Sequence, residues 1–205
     1  MTATDLDTAA HVAALKTLIQ RFFDAINAAD PKRLQRLFYP GARVGILRQE
    51  PARAPLRAQD DDLKQEKKEE EVEEKLVVVI RTDIETFVKL LEDGEKKRRE
   101  EGDDGGGGKG NGPDVIKEVP DLKLAEVRID GLFATAWCPF RVYFDGVLHH
   151  YGTFVYTFGH LLERDLGGEG KNEGENDWAW RIEGLTQSYR RTVGWEGARG
   201  NERRF

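Results

Sequence analysis

The sequence predicts an α+β fold, with helices first, a strongly curved antiparallel sheet after them, and two low-complexity inserts. Two observations support this prediction. Apolar residues recur at helical spacing near the N terminus, whereas the second half of the chain alternates apolar and polar residues in long runs that end at turns. The chain has 205 residues, which is enough for one domain with a sizeable core. We expect a single domain over residues 1–195 and a basic tail over 196–205.

The N-terminal segment predicts two helices and a strand. The first helix spans residues 5–29, and its apolar positions recur at spacings of three and four: Val12, Leu15, Ile19, Phe22 and Ile26. It ends before Pro31, because proline disfavours the helical conformation in the residue before it. Asp30 then caps a short second helix that begins at Pro31 and includes Leu37 and Phe38. A first strand is predicted over 42–48.

Two segments have the composition of flexible inserts, 49–75 and 100–118. The first contains DDDLKQEKKEEEVEEK and the second contains GGGGKGNG. Neither has enough apolar residues to offset the entropy lost on ordering. Between them we expect a buried strand at Leu76–Ile80, and then a helix capped by Thr82 or Asp83.

The C-terminal half predicts an antiparallel meander of three long strands, over 132–144, 147–160 and 178–190. The dipeptide Asp145–Gly146, between the first two, is the strongest hairpin signal in the chain. Residues 121–130 also alternate, so a further strand is predicted there.

Composition excludes several classes of protein. The net charge of -6 argues against a general nucleic-acid binder, and no apolar run approaches the ~20 residues that span a bilayer. The sole cysteine, Cys138, permits no intrachain disulfide, so we expect a cytoplasmic protein. The histidines and the cysteine match no metal-ligand spacing, and we predict neither metal nor cofactor. The glycine run lacks a complete phosphate-binding loop, because Gly110 follows Lys109.

Two segments resemble the nuclear transport factor 2-like superfamily, and within it uncharacterised bacterial and fungal proteins of the SnoaL-like branch. One is FFDAINAADPKRLQRLFYPGARV, at 22–44. The other is IDGLFATAWCPFRVYFDGVLHHYGTFVYTF, at 129–158, which WRIEGLTQSYRR follows at 180–191. The resemblance implies a cone in which the N-terminal helices cover a curved sheet. Polyketide cyclases and scytalone dehydratase share this fold, as do carriers and dimerisation modules.

The resemblance leads us to expect a small-molecule pocket protein. It would be a cofactor-independent dehydratase, isomerase or cyclase acting on an apolar oxygenated substrate. The alternative is a non-catalytic ligand-binding or dimerisation module whose cone is filled by its own side chains. An open cavity beside His150 would favour the first hypothesis, and a packed interior the second. Nothing in the sequence marks a binding site for nuclear transport partners.

His150 and Tyr156 are the candidate catalytic residues. The period of two along a strand places both on the face that carries Phe154 and Phe158. A histidine among aromatic residues could act as general acid or base near neutral pH, and the tyrosine could donate to a ligand carbonyl. The alternative is that each is a core residue with an internal partner.

The remaining candidate residues surround this pair. Alternation predicts that His149 points to the opposite face from His150, unless a bulge at Gly152 reverses the order. Gly152 itself, having no side chain, is expected to leave room beside the imidazole. The candidate ligand-binding residues are Phe140, Phe154, Cys138 and Ser188.

The two faces of the strand at 132–144 differ in character. One face is wholly apolar and should lie against the helices. The other carries more aromatic residues than a water-facing surface needs: Phe133, Trp137, Arg141 and Tyr143. We therefore predict a homodimer that forms through this outer face of the sheet.

Overall fold

A computed structural model describes residues 3–51, 74–103, 115–162 and 178–193. Within these ranges the chain forms three helices and seven strands. They are α1 (Ala3–Asn27), α2 (Pro31–Gln35), β1 (Phe38–Glu50), β2 (Lys75–Asp83), α3 (Ile84–Asp103), β3 (Ile116–Pro120), β4 (Glu126–Asp130), β5 (Phe133–Phe144), β6 (Val147–Leu162) and β7 (Trp178–Arg191). The α+β class predicted from the sequence is confirmed.

The strands form one mixed sheet in the order β2-β1-β7-β6-β5-β3, and β4 pairs with the same edge of β5 as β3 does. β5, β6 and β7 form the predicted antiparallel meander. β1, however, pairs with β7 in parallel, so the sheet is not antiparallel throughout. Sequence patterns do not show this, because alternation identifies a strand without identifying its neighbour.

The core lies between α1 and the concave face of the sheet. The inner positions of β5 and β6 alternate as predicted and are almost fully buried: Ala134, Ala136, Cys138, Phe140, Val142, Phe154, Tyr156 and Phe158. From α1, the Phe22 ring lies 5.5 Å from that of Phe154, and the Phe23 ring 6.4 Å from that of Phe140. Aromatic rings therefore join the helix to the two central strands.

The caps of α2 and α3 follow the sequence signals. An Asp30 carboxylate oxygen accepts from the Arg33 backbone N–H at 2.9 Å, with Pro31 at the first helical position. Asp83 Oδ1 accepts from the Thr86 backbone N–H at 2.8 Å, so Asp83 is the cap of the two candidates. Each carboxylate satisfies a backbone donor that has no partner within its helix.

The hairpin between β5 and β6 turns at Asp145 and Gly146, as predicted. Their φ angles are 50° and 80°, and a two-residue turn with both angles positive matches the twist of the flanking strands. Asp145 Oδ1 also accepts from the Val115 backbone N–H at 2.8 Å. The turn therefore fixes the start of β3 as well as the hairpin.

Two predictions about β1 and β2 are wrong. The segment expected to be a buried strand is the edge strand β2, in which Leu76 is 63% and Val78 54% exposed. An apolar run suggests burial without showing what covers it, and among the described strands only β1 pairs with β2. β1 begins at Phe38 and not at 42, so Phe38 lies on the strand and not on the second helix.

Both predicted inserts are shorter than expected, because strands extend into their ends. Residues 116–118 belong to β3 and pair with β5, although the second insert was expected to extend to 118. β1 continues to Glu50, and β2 begins at Lys75. The remaining parts of both inserts, and the basic tail at 196–205, lie outside the described residues, so the single-domain organisation stays a prediction.

Candidate functional site

The candidate site lies on the concave face of β5, β6 and β7. Five of the six site residues predicted from the sequence share this face: Cys138, Phe140, His150, Phe154 and Tyr156. Ser188 does not join them. Its neighbour Gln187 occupies the inner position, and Ser188 Oγ accepts from Gln49 Nε2 at 2.8 Å. Ser188 therefore lies off the concave face, where Gln187 occupies the neighbouring inner position, and the ligand-binding role of Ser188 stays a prediction.

His149 and His150 lie side by side, and their Nδ1 atoms are hydrogen-bonded at 2.7 Å. The prediction that they point to opposite faces is wrong. The β5–β6 register passes from the pair Val142–His150 to the pair Tyr143–Leu148, so His149 is an extra residue on β6 at this point. Such a bulge interrupts the alternation of faces, and it occurs at His149 and not at Gly152.

Both imidazoles are neutral at physiological pH. Burial lowers the pKa of His150 to about 3, and the neighbouring His149 and the Arg191 guanidinium lower it further. Burial, followed by the charge of Arg191, lowers the pKa of His149 to about 4. A general base works best when its pKa lies near the working pH. These values disfavour His150 as a proton shuttle and suit it to neutral hydrogen bonding.

Gly152 was expected to leave room beside His150, but the structure shows no such space on the side that faces β7. A Cβ atom there would lie 2.0 Å from the Ser188 carbonyl oxygen and 2.7 Å from the Tyr189 Cα. The backbone of β7 therefore occupies the space that a side chain would need. Glycine is required here for the close approach of β6 and β7.

Tyr156 is fully buried, and its hydroxyl has no hydrogen-bond partner in the described part of the chain. Its ring stacks between those of Phe154, at 5.7 Å, and Phe158, at 5.5 Å. Burial raises the pKa of this hydroxyl well above its ordinary value, so it stays a neutral donor. A buried hydroxyl without a partner is destabilising by about 1–3 kcal/mol, which makes it a candidate for binding a ligand.

Glu118 was not identified from the sequence, because it was assigned to the second insert. β3 places it opposite Val142, on the concave side of the sheet. Part of the residue is exposed, yet desolvation raises the pKa of its carboxyl to about 7. The detectable signal was Val-Ile-Lys-Glu-Val at 115–119, whose β-branched residues are typical of a strand.

Asn27, the last residue of α1, holds the backbone of Glu118 on both sides. Asn27 Nδ2 donates to the Glu118 carbonyl at 2.8 Å, and Asn27 Oδ1 accepts from the Glu118 N–H at 2.7 Å. The side chain of Asn27 therefore acts like a short piece of neighbouring strand. It fixes the position from which the Glu118 carboxyl extends.

Glu118, Cys138 and Tyr156 interact electrostatically. After desolvation, the charges of Cys138 and Glu118 are the next contributions that raise the Tyr156 pKa. Desolvation, with a further contribution from Asp121, raises the pKa of the Cys138 thiol to about 11. That thiol stays protonated near neutral pH and is a poor nucleophile, as expected of a buried cysteine. The titratable partner of Tyr156 is therefore Glu118.

No described group of three His, Cys, Asp or Glu side chains is arranged to hold a metal ion. Within the same ranges, no helix is long and apolar enough to cross a membrane.

The outer face of the sheet differs from the concave face. Phe133 is 47% and Trp137 54% exposed, and Arg141 is exposed on the same strand. Nearby, a groove of about 510 Å³ crosses β1, β2, β6 and β7, and its lining includes Arg43, Gly45, Arg81, Thr157, Glu183 and Thr186. This groove lies on the opposite side of the sheet from Tyr156.

Comparison with known proteins identifies the fold. The sequence matches no protein-family model and no curated protein. Among solved structures, it is similar to an NTF2-like protein with a cystatin-like fold from Novosphingobium aromaticivorans. The TM-score is 0.51 at 14% identity, over 96% of this chain and 94% of that chain. The fold is NTF2-like.

The chain is also similar to two further solved structures. One is a protein from Novosphingobium aromaticivorans proposed to be the beta subunit of an aromatic-ring-hydroxylating dioxygenase, with a TM-score of 0.50, 13% identity, and 89% of this chain and 91% of that chain covered. The other, from Streptomyces avermitilis, is proposed to be a dehydratase of the NTF2-like family. Its TM-score is 0.48 at 9% identity, over 88% of this chain and 96% of that chain. At identities this low, the similarity to the first of these structures establishes the fold and not the activity.

Proposed function

We propose that the protein binds a small apolar, oxygenated molecule inside the cone and catalyses proton transfer on it without a cofactor. The reaction class is that of an isomerase, a dehydratase or a cyclase. The observation that carries this proposal is the buried, unpartnered hydroxyl of Tyr156, which interacts with the desolvated carboxyl of Glu118. Apolar walls with a few convergent polar groups are typical of small-molecule sites.

Each residue has a distinct role in the proposed reaction. The Tyr156 hydroxyl donates a hydrogen bond to the ligand oxygen and stabilises the negative charge that develops there. Glu118, with a pKa near 7, removes a proton from the adjacent carbon and returns it at another position. Phe140, Phe154 and Cys138 form the apolar wall. His150, neutral and bonded to His149, supplies a hydrogen-bonding group in the same concave surface.

The reaction types differ in what the carbanion does and in the atom to which Glu118 returns the proton. If the proton returns to a second carbon of the same molecule, the result is an isomerisation. If Glu118 returns it to a departing hydroxyl group, water leaves and the reaction is a dehydration. Attack of the carbanion on a second carbonyl of the ligand closes a ring, and Glu118 then returns its proton to the alkoxide oxygen that forms. In each case the carboxyl ends in its starting protonation state.

A binding titration with 2-naphthol tests the proposal. We expect Tyr156→Phe to weaken binding by up to about tenfold, since it removes one hydrogen bond to the naphthol oxygen. Tyr143→Phe is the matched control, because Tyr143 lies on the opposite face of the sheet. The two variants should differ in affinity and not in fold, which circular dichroism would check. Equal affinities in the wild type and Tyr156→Phe would refute a site at Tyr156.

A second candidate function is a dimerisation module without catalysis. Close packing of aromatic rings inside the cone favours this function. The ring centroids of Phe140 and Phe154 lie 4.5 Å apart, and those of Phe22 and Phe154 lie 5.5 Å apart. The exposed aromatic residues of the outer face, Phe133 and Trp137, would then be the functional surface. Its test is the oligomeric state of the protein in solution.

The cytoplasmic location expected from the sequence belongs to the same proposal. Cys138 is a free, buried thiol, which fits a reducing compartment.

A further inference from the structure

The groove of about 510 Å³ on the outer face of the sheet has two glycines in its lining. Gly45 on β1 pairs with Thr186 on β7, and Gly184 on β7 pairs with Arg43 on β1. Neither glycine carries a side chain, so the backbone of the two strands is uncovered between the side chains that surround it. The volume lies within the range of small-molecule sites.

Two arginines of the lining lie on the two strands nearest this edge of the sheet. Arg81 on β2 lies opposite Gly45, and Arg43 on β1 lies opposite Asp83. The Asp83 carboxylate already accepts a hydrogen bond from the Thr86 backbone N–H at 2.8 Å. Both guanidinium groups are exposed, so a ligand in the groove can reach them.

The charged residues of the lining leave one positive charge in excess. They are Arg43, Arg81 and Glu183, which give the groove a net charge of +1 in a chain whose net charge is -6. Glu183 lies at the other end of the groove, where its Oε2 accepts from Thr157 Oγ1 at 2.6 Å. A guanidinium matches the geometry of a carboxylate, so the arginine end suits a single carboxylate group.

We infer that this groove binds a small planar molecule that carries one carboxylate, such as an aromatic acid. The carboxylate pairs with Arg81 and Arg43, and the ring lies flat over the uncovered backbone of β1 and β7. Val155, on β6, contacts the ring from one side of the groove.

This site is separate from the one proposed inside the cone. Val155 and Thr157 flank Tyr156 on β6, and strand alternation directs their side chains to the opposite face. The groove also shares no residue with the exposed aromatic set of the predicted dimer face, Phe133, Trp137, Arg141 and Tyr143.

The test compares 2-naphthoate with 2-naphthamide, which have the same shape and differ in charge. At low ionic strength the wild-type protein should bind 2-naphthoate about fivefold more tightly, because an exposed ion pair is worth up to about 1 kcal/mol. Added salt should reduce this preference. Calorimetric titration gives both affinities, and the backbone amide resonances of Gly45 and Thr186 should shift on binding.

Two variants separate the charge of the groove from its shape. Arg81→Gln should remove most of the preference for 2-naphthoate and leave the affinity for 2-naphthamide unchanged. Gly45→Val fills the groove and should weaken the binding of both probes. A Cβ atom at Gly45 would lie 3.6 Å from Thr186 Oγ1, an ordinary contact, so this variant should fold. Arg128→Gln, at an exposed arginine on β4, is the matched control.

Four results would overturn this inference. They are equal affinities of the wild type for the two probes, an unchanged preference in Arg81→Gln, displacement of 2-naphthoate by an equal concentration of inorganic phosphate, and weaker binding of 2-naphthoate in Tyr156→Phe. The third would indicate a general anion-binding surface, and the fourth would place the acid inside the cone. A wild-type dimer that Gly45→Val converts to a monomer would also overturn it, because a second copy would then fill the groove. None of these results affects the proposed function, which the binding of 2-naphthol tests independently.

Discussion

The raised pKa of the Glu118 carboxyl makes the stability of the folded state depend on pH. Its folded pKa, about 7, lies above the ordinary value of 4.5, so the folded protein retains this proton when the unfolded chain has already lost it. The stability gained from this difference is fully present below pH 4.5. It is lost as the pH rises through 7. The same shift makes Glu118 a base of useful strength near neutral pH.

We predict that Glu118→Gln removes this pH dependence. At pH 8 the variant should be more stable than the wild type by about 2 kcal/mol, allowing for the partial exposure of the residue, and at pH 4 the two should be nearly equal. Urea unfolding at pH 4, 6 and 8 measures the difference. The control is Glu126→Gln, an exposed carboxyl on β4, which should follow the wild type at every pH. The same dependence of the unfolding free energy on pH in the wild type and in Glu118→Gln would contradict the raised pKa of this carboxyl.

The site residues were predictable from the sequence only where strand alternation is regular. Counting by twos from Phe154 placed His150 and Tyr156 correctly on the concave side. The same count misplaced His149, because a bulge adds a residue without leaving a composition signal. Glu118 was missed for a different reason: its strand has only five residues and adjoins a glycine-rich run.

At the scale of elements, the side chain of Asn27 links α1 to β3. The two hydrogen bonds from Asn27 to the backbone of Glu118 connect the C-terminal end of the helix to an edge strand. Lys16 Nζ adds a second link, since it donates to the Leu122 carbonyl at 2.8 Å, just beyond β3. The position of Glu118 therefore depends on how α1 packs against the sheet.

We predict that Asn27→Ala destabilises the protein by about 1–2 kcal/mol, because it leaves two backbone groups of β3 without their partner. Amide hydrogen exchange should become faster at Glu118 and remain unchanged in β6. Thr17→Ala, an exposed position on the same helix, is the control. Unchanged exchange at Glu118 in Asn27→Ala would show that β3 holds its position without the helix.

Elements with local signals were predictable, and those set by distant pairing were not. Asp30-Pro31 and Asp145-Gly146 determine a cap and a turn within a few residues, and both were predicted correctly. The parallel pairing of β1 with β7, by contrast, brings Phe38 next to Ile182. No short-range pattern encodes such a contact, and the exposed position of β2 follows from it.

For the whole molecule, the outer face of the sheet remains the predicted dimer interface. Trp137, exposed by 54%, and Phe133, by 47%, lie on one strand with Arg141. Exposed aromatic residues beside an arginine are a composition favoured in interfaces. The 510 Å³ groove across β1 and β7 could accept a protruding side chain from a second copy of this face.

We predict that Trp137→Glu converts a homodimer to a monomer, because it places a charge among the exposed aromatic residues of the outer face. Sedimentation velocity at micromolar concentration measures the change. Leu124→Glu, in the turn between β3 and β4 and 63% exposed, is the control and should leave the assembly intact. A wild-type protein that sediments as a monomer would remove the basis of this prediction.

The central position of β7 has a consequence for how the chain is made. β7 separates β1 from β6, yet it follows every other described strand in the sequence. While the protein is being synthesised, β1 and β6 therefore leave the ribosome with unpaired edges, and each edge is a template for pairing with another nascent chain. Both edges become paired only when β7, Trp178–Arg191, has been synthesised and inserts between them. Messages cut short before this strand would yield products open to aggregation, whereas full-length chains insert their last strand between the two and complete the sheet.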